Sequence, residues 1–209
     1  TQVFVFEVMG RHAGWIAAAG GLAFDGADSP LLILFPEVPF DVERFLARVA
    51  DAVTRFGYCS VVVSEGVRDA QGKFLADSGT VDAFGHHQLG GAGLAVVEQV
   101  RGRLGYKTHW AVADYLQRSA RHLASATDLD QARALGREAV ALAIAGHSGV
   151  APVIRRLADT PYRWDVTSAP LAALANVERH LPDEYRSADG FGISEACRRY
   201  LQPLIVGEA

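Results

Sequence analysis

Short apolar runs alternate with helix-patterned segments through the first half of the chain, and this alternation limits the fold more than any other feature. The runs are Val3-Phe4-Val5-Phe6, Leu31-Leu32-Ile33-Leu34-Phe35 and Tyr58-Cys59-Ser60-Val61-Val62-Val63. Each is short and rich in the β-branched and aromatic residues that suit a pleated surface. Residues 41–56 instead place Val42, Phe45, Leu46, Val49, Val53 and Phe56 on one helical face, with Asp41 as N-cap and Gly57 as the end. Residues 11–23 and 93–104 also pattern as helices, and 106–112 as a further strand. Such alternation predicts an α/β fold on a parallel sheet, in which sites collect at the carboxyl ends of the strands.

The rest is less regular. Residues 66–91 read as loop, with Gly72, Gly79, Gly85, Gly90 and Gly91. A long Ala-rich helix is expected over 128–145, opened by Thr127 and closed by Gly146. After it come Pro152, Pro161, Pro170 and Pro182, then a short helix after Ser194 that Pro203 stops. The 209 residues suffice for one large domain or two small ones. The division is expected at residue 150, with a C-terminal segment over 151–209.

The formal net charge of −4 argues against nucleic acid or an anionic membrane surface as the main partner, since both select basic surfaces. It leaves room for a local basic pocket. The two cysteines, Cys59 and Cys197, lie far apart and outside any Cys-x-x-Cys pattern. They offer no disulfide framework and fit a reducing, cytoplasmic setting. No apolar run approaches the length of a membrane span, and no signal peptide is expected. The chain opens on Thr1, directly into an apolar run, which predicts a truncated chain.

Three segments carry candidate chemistry. Glu7-Val8-Met9-Gly10-Arg11 stands where a strand is expected to give way to a helix. Unpaired amides and the helix dipole favour anions there, and arginine adds a planar donor. An ordinary strand-to-helix turn with a surface arginine fits the same residues. Ser64-Glu65-Gly66 ends the most apolar strand. Its carboxylate can accept hydrogen bonds from sugar hydroxyls or can cap a loop. In Asp114-Tyr115-Leu116-Gln117-Arg118-Ser119-Ala120-Arg121-His122, Tyr115 and Arg118 are three apart and share a face on a helical turn. With Arg121 and His122 they form the best candidate for a phosphate-binding basic pocket; a solvated helix face is the alternative. There is no Gly-x-Gly-x-x-Gly after a strand and no Walker-type Gly-Lys-Ser/Thr. His86, His87, His109, His122 and His147 lack zinc-ligand spacing, and no Ser/His/Asp set can be singled out. Local chemistry alone stops at an α/β domain that could bind an anionic sugar.

Five blocks in order carry the reading further. Glu7-Val8-Met9-Gly10-Arg11-His12-Ala13-Gly14-Trp15 resembles the segment of phosphofructokinases that contacts fructose 6-phosphate. Ser64-Glu65-Gly66-Val67-Arg68-Asp69, then Asp82-Ala83-Phe84-Gly85-His86 with Gln88-Leu89-Gly90-Gly91, then Tyr115-Leu116-Gln117-Arg118 follow in the family's order. Ala175-Asn176-Val177-Glu178 and Asp189-Gly190-Phe191-Gly192 with Ala196-Cys197-Arg198-Arg199-Tyr200 resemble the C-terminal region of the pyrophosphate-dependent branch.

The resemblance implies a Rossmann-like parallel-sheet phosphofructokinase fold, incomplete because the N-terminal donor-binding half is absent. It makes 1–150 the fructose 6-phosphate domain and 151–209 a segment returning towards the donor domain. Met9, Gly10 and Arg11 would line the sugar-phosphate site, Glu65 would hold a sugar hydroxyl, and Tyr115 and Arg118 would bind near the 6-phosphate. Tyr115 replaces the histidine of the ATP-dependent enzymes. A neighbouring subunit's arginine also reaches this phosphate in bacterial ATP-dependent enzymes; Lys107 and His109 lie in the corresponding region, and neither is assigned that role. The implied activity is phosphoryl transfer from pyrophosphate to fructose 6-phosphate in a homo-oligomer of glycolysis. Mg²⁺ would be held in the missing half. The Gly-Gly-Asp donor loop and the Thr-Ile-Asp-Asn-Asp base segment are expected upstream of Thr1, so the isolated chain is expected to be inactive. The ATP-dependent sister reaction and a non-catalytic sugar-phosphate-binding module are the alternatives.

Overall fold

The computed structural model describes residues 1–24, 28–75, 77–81, 87–89 and 91–206, with backbone alone for 77–81 and 87–89. In chain order the elements are β1 (Val3–Val8), α1 (Trp15–Gly20), β2 (Leu31–Leu34), α2 (Val42–Phe56), β3 (Cys59–Ser64), β4 (Asp77–Val81), β5 (His87–Leu89), α3 (Ala92–Leu104), β6 (Thr108–Val112), α4 (Leu116–Ser119), α5 (Ala126–Ile144), β7 (Val150–Asp159), β8 (Tyr162–Pro170) and α6 (Glu195–Leu201). Contacts divide them into two units: Thr1–Gln117 with Arg179–Arg198, and Arg118–Glu178 with Arg199–Ala209. Residue 150, the sequence-based division, begins β7 within the second unit.

The first unit is built on a sheet ordered β2-β3-β1-β6, with every pairing parallel. The chain leaves β1 towards β2 on one side and later arrives at β6 on the other. The order therefore reverses at β1, the place where such sheets open a crevice at their carboxyl ends. Alternation along the strands turns Val3, Val5, Cys59, Val61 and Val63 towards the face covered by α2 and α3. There they pack with Phe45, Val49, Val96, Val97 and Val100 in one core. Gly20 of α1 meets Val62 on the other face. The α2 boundaries follow from chemistry visible in the sequence. The Asp41 carboxylate accepts the amides of Glu43 and Arg44, and Gly57 closes the helix at φ +81°.

Several expectations need correction. Residues 11–14 are not helical: α1 begins only at Trp15. The loop 66–91 contains the antiparallel pair β4–β5. In the second unit, α5 is capped by Ser125, whose Oγ accepts the Asp128 amide, and not by Thr127, whose hydroxyl donates to Pro203 O. The irregular region expected after Gly146 holds a long antiparallel pair, β7–β8, with Arg155 salt-bridged across the strands to Asp165. The expected short helix after Ser194 is present as α6, which ends at Leu201, and Pro203 lies in the 3₁₀ turn that follows it. The Asp189 motif is structural. Its carboxylate accepts Ser187 Oγ at 2.6 Å and the Phe191 amide at 3.1 Å, and pairs with Arg48 at 3.1 Å. This seats Phe191 in the core and its carbonyl on the Ile33 amide at 2.8 Å. Both cysteines are free and buried; burial pushes the Cys59 thiol up to about 12 and the Cys197 thiol to about 11. Among the described residues, no helix is long and apolar enough to cross a membrane.

Candidate functional site

Parallel register sets the site. Val8 lies opposite Ser64 and Glu7 opposite Val112, so β1, β3 and β6 end together at one edge. One further backbone bond on each side continues the alignment, Glu65 N–H to Val8 O and Ala113 N–H to Glu7 O, both at 2.9 Å. The segments carrying Met9 to Arg11, Glu65 and Tyr115 therefore leave the sheet side by side.

The first two of these segments interlock. Glu65 Oε1 accepts the Gly10 amide at 3.3 Å, and Ser64 Oγ donates to Gly10 O. Gly10 has φ +144°, and a Cβ there would lie 2.6 Å from Ser64 Oγ. At Gly66 a Cβ would lie 1.9 Å from Arg11 O, so only glycine lets the loops approach this closely. From the third segment Gln117 Oε1 accepts the Met9 amide at 3.4 Å, while Gln117 Nε2 donates to Asp114 O at 2.8 Å. Asp114 turns the chain at φ +42°. The Asp114 bond is local, but the Met9 bond joins residues 108 apart in sequence, and no local pattern announces it.

Free amides at a helix start, expected at residues 9–11, are not found there. The amides of Met9 and Gly10 are taken by side chains, and the helix start lies at Trp15, beyond Arg11. In the same segment the Arg11 Nε is buried without a hydrogen-bond partner among the described residues. Tyr115 is 65% exposed in the turn before α4. Arg118 is exposed and begins the second unit. The segment 82–86 and Gly90 lie outside the described residues, and Gln88 and Leu89 are described only as backbone of β5.

Glu7 belongs to the first motif yet does not face the crevice. It is 2% exposed, on the core side of β1. Its two carboxylate oxygens accept the amide of Gly91, the residue before α3, at 3.2 Å and that of Gly93, in its first turn, at 2.7 Å. A buried carboxylate thus caps a buried helix end, satisfying charge and orphan donors together.

The Phosphofructokinase family profile matches residues 1–143. This chain belongs to the phosphofructokinase family. It is 61% identical over its whole length to a pyrophosphate–fructose 6-phosphate 1-phosphotransferase of Methylococcus capsulatus, covering 50% of that protein. It is 58% identical, with the same coverage, to the one from Halomonas elongata. Among solved structures, the pyrophosphate-dependent phosphofructokinase from Nitrosospira multiformis superposes over the full chain and 49% of its own, with TM-score 0.88 and 52% identity. The parallel α/β fold expected from the sequence is therefore a phosphofructokinase fold, and the chain spans about half the length of the curated relatives it matches.

Proposed function

We propose that the protein containing this phosphofructokinase chain transfers a phosphoryl group from pyrophosphate to the 1-hydroxyl of fructose 6-phosphate, and that this chain holds the sugar phosphate. The observation that carries the reading is the convergence of residues 9–11, Glu65 and the Tyr115 turn at one sheet edge, in a chain so similar to pyrophosphate-dependent relatives.

In this reading Arg118 and Tyr115 bind the 6-phosphate, Arg118 by charge-assisted donors and Tyr115 by its phenol. Met9, Gly10 and Arg11 line the sugar. The buried Arg11 Nε is a donor that an anionic ligand would satisfy. Glu65 accepts a sugar hydroxyl with the carboxylate capacity that one long bond to Gly10 leaves over. In the reaction the sugar's O1 forms a bond to one phosphorus of pyrophosphate as the bridging P–O bond breaks. The hydroxyl proton leaves to a base, and phosphate departs with the bridging oxygen. The chain's share is to hold the acceptor in line, which lowers the barrier by making attack effectively unimolecular.

Mg²⁺, when bound, would neutralise charge on the donor. Among the described residues no cluster of His, Cys, Asp or Glu could hold a metal ion, so no residue of this chain is assigned to it. A homo-oligomer in the cytoplasm is part of the same reading. The test is to assay the purified full-length protein with fructose 6-phosphate and either pyrophosphate or ATP, alongside sedimentation velocity. Turnover is expected with pyrophosphate; turnover with ATP alone, or none with fructose 6-phosphate, would refute the reading.

A further inference from the structure

Glu37 belongs to none of the motifs above. It follows β2 in a turn closed by Val38 N–H to Phe35 O at 3.2 Å. Its Oε1 accepts two amides from distant parts of the chain, Gly14 at 2.9 Å and Leu181 at 2.8 Å. Its Oε2 is buried with no hydrogen-bond partner among the described residues. The carboxylate fits because Gly14 has no side chain: a Cβ there would lie 2.7 Å from Oε2 and 2.9 Å from Phe35 Cδ1. Leu181 is 2% exposed.

The same junction is tied at neighbouring points. His180 Nδ1 lies 2.8 Å from His12 O, Trp15 Nε1 donates to Arg179 O at 2.7 Å, and Tyr185 meets the Trp15 ring edge-on at 5.9 Å. Residues 12–15 are thereby moored to residues 179–181, with the Glu37 carboxylate between them. Residues 9–11 come just before this mooring. Their own amide anchors, Met9 to Gln117 at 3.4 Å and Gly10 to Glu65 at 3.3 Å, are longer than the usual N–H···O bond of about 2.9–3.0 Å. The two bonds to Glu37 are of ordinary length.

We infer that Glu37 is a positioning residue: it fixes residues 12–15 against residues 179–181, and so holds residues 9–11 ready for the sugar phosphate. The inference rests on the proposed acceptor site. A loop fixed in advance has less freedom to lose on binding, so the effect belongs in ligand affinity.

The test uses Glu37→Ala, Glu37→Asp and Glu37→Gln in the full-length protein. Glutamine keeps an acceptor oxygen for both amides and should stay within about twofold of the parent. Alanine loses both bonds, and aspartate is one methylene short of reaching both. Each should raise KM for fructose 6-phosphate by roughly tenfold or more while kcat and KM for pyrophosphate change little. Amide hydrogen exchange should speed up in residues 9–14 and 179–181 of Glu37→Ala and Glu37→Asp, and not in α2. An unchanged KM for fructose 6-phosphate in the aspartate variant, or glutamine behaving like alanine, overturns the inference. So does a loss spread evenly over both substrates, kcat and exchange everywhere, which marks a merely structural residue. A parent without turnover from pyrophosphate counts against the proposed function instead. Unchanged exchange in residues 9–14 of the aspartate variant then overturns the positioning role by itself.

Discussion

Glu65 Oε1 accepts the amide of Gly10 at 3.3 Å, tying the carboxyl end of β3 to the loop that follows β1. Glu65→Gln keeps an acceptor for that amide and removes the charge offered to a sugar hydroxyl. KM for fructose 6-phosphate should rise by roughly 5- to 15-fold, the difference between a charge-assisted bond and a neutral one, with pyrophosphate affinity nearly intact. Steady-state kinetics on the full-length protein check this. Collapse of pyrophosphate or Mg²⁺ affinity with sugar affinity preserved would put Glu65 on the wrong side of the crevice.

Gly66→Ala is expected to be severe. Its Cβ would lie 1.9 Å from Arg11 O and 2.5 Å from Gly10 O, so the two loops must part. Overpacking of this kind costs about 1–3 kcal/mol and should also weaken sugar binding. Gly102→Ala is the internal control: it lies in α3 with nothing within 4 Å of the added atom. That change should stabilise by about 0.5–1 kcal/mol through helix propensity. Urea midpoints of both variants measure the contrast.

Glu7→Ala should destabilise the protein by about 2–4 kcal/mol, since the Gly91 and Gly93 amides lose charge-assisted partners at a buried helix end. Glu7→Gln should cost less. A loss under about 0.5 kcal/mol in the alanine variant would mean that the α3 cap contributes little.

Asp189 gives a pH signature. Burial pushes its carboxyl upward, but the Ser187 hydroxyl, the Phe191 amide and Arg48 outweigh that and hold it below the usual carboxylate range. A depressed folded-state value means stability that is present above the unfolded value of about 3.9 and lost as pH falls through the folded one. With the side chain 38% exposed, solvent screening keeps the contribution below about 1 kcal/mol. Urea unfolding of parent and Asp189→Asn should differ by a constant amount at pH 5–7, and the gap should narrow below about pH 4.

How much of this was legible in the sequence depended on how local each cause is. The strands β1, β2 and β3 announce themselves as apolar runs, and α2 carries its face, its Asp41 cap and its Gly57 end within one stretch. The start of α1 lies later than the sequence suggests because Ala13 and the alanines of α1 blend into one Ala-rich stretch, while Gly10 and Gly14 are held in a loop by distant groups, Glu65 and Glu37. The β7–β8 pair was hidden by Pro152, Pro161 and Pro170 and by the charges Arg155, Arg156 and Asp165, which blur the alternation. In the site, the neighbourhood of Met9, Gly10 and Glu65 could be anticipated once parallel strands were expected, because their ends must share an edge. Gln117 and Glu37 could not, since each acts on backbone amides far away in sequence.

Arg118 offers the sharpest test of whether this chain carries the sugar-phosphate acceptor site of the phosphofructokinase reaction. If Arg118 holds the 6-phosphate as proposed, Arg118→Ala removes a charge-assisted contact worth about 1.5–3 kcal/mol. In the full-length protein, KM for fructose 6-phosphate should therefore rise by about 10- to 150-fold, with KM for pyrophosphate within about threefold of the parent. A folded Arg118→Ala variant with unchanged KM for fructose 6-phosphate and unchanged kcat would contradict the account.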